Sequence, residues 1–288
     1  MMSPQQEAHQ HADVLDEGLA RLAVTGPEFR GGLSNHGPMA AEAMIRLGRP
    51  EAVEPWLDGY LPLLEEPPRA SDRITDQTWP EAMGVPRRVT DWELYLRDQL
   101  ADEPWQLVLA RWWQRLVPGL AAHATHGIIR TSHAARSLAE VQTSERLHEL
   151  GRGLAYWASG YLELPGGTGS GGGLTLDAAI SQPIPFVHAV TAPVAARSVL
   201  GLLPGGVAQP SYDALWRTAA ALYSAYAADS APEPPLSEPP WPADLISRAV
   251  GTGDEHAIKF TEACLRLYSE SADPILLQAA ERACRLLG

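Results

Sequence analysis

The chain has 288 residues, of which 45% are hydrophobic and 20% charged, and its formal net charge at pH 7 is -13. The composition is ordinary for a globular protein, and the acidity argues against a nucleic-acid backbone or an anionic membrane surface as a partner, since both attract basic patches. The first residues are polar and acidic, whereas a secretory signal has an apolar central region. No apolar run approaches the ~20 residues that span a bilayer. We therefore expect a cytoplasmic protein that binds neither nucleic acid nor membrane.

Apolar residues recur at helical spacing from residue 5 to residue 24, and this pattern predicts a first helix. A second helix should begin near Ser34 or Asn35, either of which could cap it, with Pro38 in its first turn. It should end before the glycine and proline of residues 48–50. A short helical segment follows, and prolines break the stretch after it.

A strong helical pattern then spans residues 92–123. Its apolar face carries Trp105, Leu109, Trp112, Trp113 and Leu116. An aromatic stripe at this spacing is typical of a core-facing helix. Two more helices precede a glycine-rich break, and later ones are predicted at about 193–203, 211–228, 242–250, 255–270 and 273–287. Because no series of period-two runs bounded by hairpin turns occurs, the predicted fold class is all-α, with residues 1–288 as a single large multi-helix domain.

Two low-complexity stretches interrupt the helices. PGGTGSGGG, residues 165–173, contains the spacing GxGxxG, but no clear strand leads into it and no well-placed acidic residue follows. It is therefore predicted to be a flexible loop that does not bind NADPH. APEPPLSEPPWP, residues 231–242, is predicted to be a stiff surface connection.

Residues 126–138, HGIIRTSHAARSL, place His126 and His133 on one helix face, about 10 Å apart along the axis. His123 is three residues before His126 and forms a closer pair by spacing. Arg130 lies between the two and could hold an anionic oxygen of a substrate or pair with an acid. Spacing alone leaves open which histidine binds a metal and which acts on a substrate.

The segment DEHAIKFTEAC places His256, Lys259 and Glu262 at successive steps of three residues, on one helix face. An ammonium repels a metal cation, so if His256 binds a metal, a lysine on the same helix face needs a special role. Lys259 could be neutral and act as a base, or its amine could carry CO2 as a carbamate, an oxygen anion suited to a metal. The plain alternative is an ion pair between Lys259 and Glu255 or Glu262.

Two further histidines stand in distinctive surroundings. His36 lies in LSNHGPM, at a turn that should start a helix, so its ring could point into a site from a rigid corner. His188, in PIPFVHAVTAP, is flanked by apolar residues and should be buried with a hydrogen-bond partner. Imidazole ligands suit iron, copper, zinc or nickel.

The sequence lacks the motifs that mark several other kinds of active site. The sequence contains no HExxH helix, no P-loop and no GxSxG elbow. Cys264 and Cys284 belong to no CxxC pair and are expected to be buried, reduced thiols. A histidine-rich site in a helical scaffold is what remains.

Four stretches, LSNHGPMAAEAM, HGIIRTSHAARSL, FVHAVT and HAIKFTEAC, resemble the questin oxidase-like family in sequence and order. HGIIRTSHA is the most specific of them. That family includes oxygenases of secondary metabolism that open rings of aromatic polyketides such as anthraquinones. The ring opening is described as Baeyer–Villiger-like in some members and as non-heme iron dioxygenation in others, and the iron type uses several histidines and a carbamylated lysine.

The resemblance implies Fe(II) as cofactor and five metal-binding residues: His36, His126, His188, His256 and Lys259, the last as a carbamate. His133 is the rival of His188 as a ligand and otherwise either a residue that supports the ligands from behind or a catalytic acid–base residue, and Arg130 is a second catalytic candidate. The implied function is an oxygenase that cleaves or oxidises a polycyclic aromatic polyketide with O2. A non-catalytic helical binding protein and a metal-dependent hydrolase that activates water with the same histidines are the alternatives.

Overall fold

The computed structural model describes residues 4–164, 183–226 and 238–288. In these ranges the chain forms thirteen α-helices, which confirms the predicted all-α class. The helices are α1 (Pro4–Leu22), α2 (Gly37–Arg46), α3 (Val53–Tyr60), α4 (Trp79–Ala82), α5 (Val89–Asp102), α6 (Trp105–Leu116), α7 (His126–Glu140), α8 (Ser144–Ser159), α9 (Pro183–Leu200), α10 (Ala208–Tyr226), α11 (Pro242–Thr252), α12 (Glu255–Ser271) and α13 (Ile275–Leu287). Two short strands, β1 (Glu28–Phe29) and β2 (Leu33–Ser34), pair antiparallel.

The start of α2 differs from the prediction. Ser34 belongs to β2, where its Oγ is 2.8 Å from Oη of Tyr156 and so is not free to cap the helix. Asn35 bonds through Oδ1 to the backbone N–H of Gly37, and the residue at the N-cap is His36. The same turn carries the His36 ring, whose Nδ1 and Nε2 contact Glu255 and His126.

The pattern predicted as one helix over residues 92–123 is two helices, α5 and α6. Pro104 separates them, because proline lacks the N–H that a continuing helix needs and forces the residue before it out of the helical conformation. Glu103 is accordingly extended, with φ of -133° and ψ of 154°. The break turns α6 back against the core.

The tryptophan stripe of α6 is confirmed as core. Trp112 and Trp113 are fully buried, and Trp113 meets Trp157 of α8 edge-on with ring centroids 5.4 Å apart. The indole N–H of Trp113 donates to Oγ of Ser211 in α10 over 2.9 Å. These contacts pack α6 against α8 and α10, and the buried indole N–H of Trp113 has a hydrogen-bond acceptor.

Helix α9 begins at Pro183, earlier than the predicted start at residue 193. Pro193 lies inside the helix, and the apolar residues before it, such as Phe186 and Val187, are buried. Burial of this apolar segment therefore outweighs the helix-breaking tendency of the proline. As a result His188 lies within a helix.

Helices α2, α7, α9 and α12 surround the site described below. α2 packs against α7 and α12, and α9 packs against the same two helices. Helix α7 also lies very close to α8 at Gly127, where a Cβ would be 2.6 Å from the Cα of Trp157. The glycine of HGII is therefore a packing requirement that fixes where the first turn of α7 sits.

The predicted glycine-rich loop at residues 165–173 lies outside the described residues, as do residues 231–237 of the proline-rich connection. The described end of that connection leads into α11, with Pro242 as its first residue. Cys264 and Cys284 are free and buried, as expected. In the described ranges, no helix has the length and apolar character needed to cross a membrane.

Candidate metal centre

Four of the five predicted metal-binding residues meet in one place, and each is carried by a different helix. They are His36 at the N-cap of α2, His126 at the first position of α7, His188 within α9 and His256 at the second position of α12. One ring nitrogen of each lies within 4.8 Å of the others, and all four residues are buried. Metal–nitrogen bonds of about 2.1 Å place ligand nitrogens about 3.4 Å apart in a tetrahedral site and about 4.2 Å apart when opposed. Around one ion the widest pairs of the cluster would therefore approach each other and the closest pair would separate.

His36 and His126 point their Nε2 atoms at each other over only 2.5 Å. Nδ1 of His126 is 2.5 Å from the carbonyl oxygen of His123, which can only accept, so this Nδ1 carries the proton. Nδ1 of His36 faces Oε1 of Glu255 at 2.9 Å and donates in the same way. In neutral rings both Nε2 atoms therefore carry lone pairs that face each other. Binding to a shared cation would relieve their repulsion, with the two atoms moving about 1 Å apart to reach metal–nitrogen distances of about 2.1 Å.

Burial keeps these rings neutral. It lowers the pKa of His36, His126 and His188 well below 6.5, and the nearby charges of Lys259 and of the other histidines lower each pKa further. Neutral imidazole is the form that binds a metal, so the rings are in the state that a ligand needs.

His188 follows the same pattern as His126. Its ring is hydrogen-bonded to the backbone of Ala124, and its Nε2 is buried with no hydrogen-bond partner among the described residues. The ring centroid of His188 is 4.2 Å from that of His126. A backbone acceptor thus orients each ring, and the opposite nitrogen is left for an ion.

Both backbone acceptors come from one unusual turn. His123, Ala124 and Thr125 are three consecutive non-glycine residues with positive φ angles of 46°, 51° and 71°. The left-handed conformation costs about 1–2 kcal/mol for each such residue. The turn directs the carbonyls of His123 and Ala124 toward two imidazoles on separate helices, so local strain accompanies the orientation of the candidate ligands.

We predict that Ala124→Gly stabilises the metal-free protein by about 1 kcal/mol, because glycine adopts a positive φ without a steric penalty and the exposed Ala124 side chain contributes no core packing. Ala121 is the matched control, with an ordinary φ of -69°. Ala121→Gly should destabilise by about 0.5–1 kcal/mol through the greater freedom of the unfolded chain. Urea unfolding of both variants would measure the difference, and equal destabilisation would show that the turn is not strained.

Helix termini and two carboxylates contribute to the electrostatics of the centre. His36, His126 and His256 all lie at the N-terminal ends of their helices, which carry roughly half a positive charge each. The opposing charges come from α12: Asp254 Oδ1 and Glu255 Oε1 are 3.6 Å and 3.8 Å from Nδ1 of His256. Negative groups at the centre are therefore favoured.

Lys259 is one turn after His256 on α12 and is 1% exposed. Its Nζ has no hydrogen-bond partner in the described part of the chain, so the expected alternative of an ion pair with Glu255 or Glu262 is not what the structure contains. Burial lowers the pKa of Lys259 to about 8, although Glu255 and Asp254 raise it. The lowered pKa increases the fraction of the amine in the neutral form, which is the form that can react with CO2.

The two predicted catalytic residues have other partners. Nδ1 of His133 is 2.8 Å from Oε2 of Glu42, a carboxylate that also pairs with Arg136. Arg130 donates to both carboxylate oxygens of Glu149, over 2.5 Å and 2.8 Å. Each residue is held in a buried ion-pair network apart from the four clustered histidines, which is an arrangement typical of structural support.

His123, the other open alternative, takes part through its backbone rather than its ring. The ring stacks on Tyr156 with centroids 3.9 Å apart and planes 5° apart. It borders a cavity of about 220 Å³ that Tyr156, Ser159 and Glu28 also line. His188 rather than His123 or His133 therefore completes the cluster.

Sequence reasoning missed the residues that orient the rings. Glu255 was considered only as a partner of Lys259, and the carbonyls of His123 and Ala124 have no side-chain signature. The available signal was the adjacency of Asp254 and Glu255 to His256, since metal-binding histidines commonly bond to a carboxylate.

Comparison with known proteins assigns no family: no family model matches the chain, and neither a curated sequence nor a solved structure matches it. The chemical interpretation of the site therefore depends on its own geometry and on the short sequence stretches described above.

Proposed function

We propose that the protein is a metal-dependent oxygenase, with Fe(II) as its resident metal and a polycyclic aromatic polyketide such as an anthraquinone as its substrate. The observation that supports it most is the pair of facing Nε2 atoms of His36 and His126 within a buried cluster of four imidazoles. The resemblance of the same histidine-bearing stretches to the questin oxidase-like family supplies the reaction class.

The residues present fit such an ion. Four imidazole nitrogens would hold it, and Lys259 as a carbamate would add an anionic oxygen close to His256. Imidazole with carboxylate-like oxygen is a ligand set that suits iron, and a bound ferrous ion supplies the activation of O2. Because four neutral imidazoles leave a divalent ion with its full charge, the carbamate also reduces the charge of the buried centre.

The protein's own residues orient and shield the centre. Tyr60 accepts a hydrogen bond from the backbone N–H of His36 over 2.8 Å, which fixes the corner that carries this ring. The carbonyls of the left-handed turn hold the protons on Nδ1 of His126 and His188. Since all four histidines are buried, water is restricted at the place where an electron-rich hydroxyarene would react.

Metal analysis of protein purified without added metal tests the first part of the proposal, and we expect about one iron per chain. A protein that takes up no metal would favour the non-catalytic alternative. Oxygen uptake with a hydroxyanthraquinone tests the second part, with protein stripped by a chelator as control. Metal-bound protein that consumes no O2 with any aromatic polyketide supplied, but hydrolyses an ester, would favour the hydrolase.

A further inference from the structure

We propose that Glu255 is the positioning residue of the metal centre: its carboxylate holds the His36 ring with Nε2 facing the ion and offsets the positive charge of the site. The inference rests on the metal centre of the proposed function and adds a residue that is not itself one of the five ligands. It starts from the contact between Oε1 of Glu255 and Nδ1 of His36, at 2.9 Å.

The orientation of His36 depends on a side-chain contact, whereas that of His126 and His188 does not. His126 and His188 bond to backbone carbonyls, which a substitution cannot remove. His36 sits at the N-cap of α2 with no side-chain cap hydrogen bond, and Nδ1 of its ring bonds to Glu255. Removing the carboxylate leaves that Nδ1 without an acceptor and frees the ring to rotate.

The position of Glu255 in the chain explains why one carboxylate can serve two helices. It is the first residue of α12, next to His256, while His36 is 219 residues earlier. Its Oε1 is also 3.8 Å from Nδ1 of His256. Glu255 therefore lies between two of the four imidazoles and joins the start of α2 to the start of α12.

Asp254 provides a matched control, because it is adjacent and equally charged but has a different task. Its Oδ1 accepts hydrogen bonds from the backbone N–H groups of His256 and Ala257, at 2.8 Å and 3.0 Å, and so caps α12. Asparagine caps a helix as well as aspartate does. Oδ1 of Asp254 is also 3.6 Å from Nδ1 of His256, and asparagine keeps that oxygen. Asp254→Asn thus removes one charge near the centre while it keeps both the helix cap and the oxygen beside His256.

The test is a titration of metal-free protein with Co(II), followed by its visible absorption. We expect Glu255→Ala to weaken Co(II) binding 10–100-fold, as loss of an outer carboxylate commonly does. Glu255→Gln keeps an acceptor for His36 and should recover part of the affinity, with a Co(II) spectrum closer to wild type than that of Glu255→Ala. Asp254→Asn should bind Co(II) within a few-fold of wild type.

Thermal unfolding of the metal-free variants is the fold control. The side chain of Glu255 is only 15% exposed, so its loss lowers stability, and Co(II) binding is compared at a temperature at which wild type and all variants are folded. The proposal is overturned if Glu255→Ala binds Co(II) as tightly as wild type, or if Asp254→Asn loses as much affinity as Glu255→Ala. Wild-type protein that binds no Co(II) would instead overturn the metal centre itself, so the two failures are distinguishable.

Discussion

Lys259→Ala protein is expected to fold but to lose its metal. A free ammonium at the position of Lys259 would oppose a cation, since two like unit charges 4 Å apart repel by about 4 kcal/mol at an effective dielectric constant of 20. A carbamate would reverse that sign at the same place and add an oxygen ligand. Metal content by elemental analysis of the purified variant would measure the loss.

Three further experiments distinguish the effect of a carbamate from the effect of the charge or the size of the Lys259 side chain. Lys259→Arg should also lack metal, because a guanidinium stays charged and does not take up CO2. Short carboxylates such as acetate or formate should partly restore metal binding to Lys259→Ala by occupying the vacated space. Wild-type protein supplied with ¹³C-bicarbonate should show a carbamate carbon by NMR.

The carbamate would be refuted by one clear outcome. A crystal structure with full metal occupancy and an unmodified Lys259 would show that the lysine keeps its amine. In that case its burial beside the centre would have to serve proton transfer or the binding of an anionic substrate.

The second large effect is a contrast between two histidines of the same helix. His126→Ala should weaken metal binding more than 100-fold and abolish turnover, because loss of a direct ligand exceeds the 10–100-fold effect of an outer one. The fold should persist, since His126 lies at the first position of α7. Equilibrium dialysis against Co(II) and circular dichroism would measure the two effects.

His133→Ala is the matched control and should behave in the opposite way. It removes the hydrogen bond to Glu42 inside a buried ion-pair network, so we expect a loss of about 1–3 kcal/mol in the free energy of unfolding with metal binding retained. Urea unfolding of the metal-free protein would report it. If His126→Ala keeps its metal and His133→Ala loses it, the ligand assignment must move along α7.

The helices were accessible from sequence because local patterns encode them, whereas the set of four histidines followed only from the resemblance of short stretches to a family. Apolar periodicity predicts α7 and α12, and HGIIRTSHA and HAIKFTEAC mark the turns that carry two of the imidazoles. The break at Pro104 was also readable, but the strong apolar pattern across it concealed the separation of α5 from α6.

The choice among His123, His133 and His188 was not accessible in the same way. It depends on Glu42, which lies 91 residues before His133 in the chain and binds the His133 ring within an ion-pair network. It depends equally on the left-handed turn at residues 123–125, whose sequence contains no glycine and so gives no warning of positive φ angles. Such features arise from tertiary contacts, which a single sequence does not reveal.

The distribution of the candidate ligands along the chain has a thermodynamic consequence. The imidazoles come from four helices between residues 36 and 256, so an unfolded chain cannot gather them, and an ion would bind the native state almost exclusively. By mass action, free metal at 1,000 times its dissociation constant would add about 4.1 kcal/mol to the free energy of unfolding. The resistance of this protein to heat would then be a property of its metal supply as much as of its sequence.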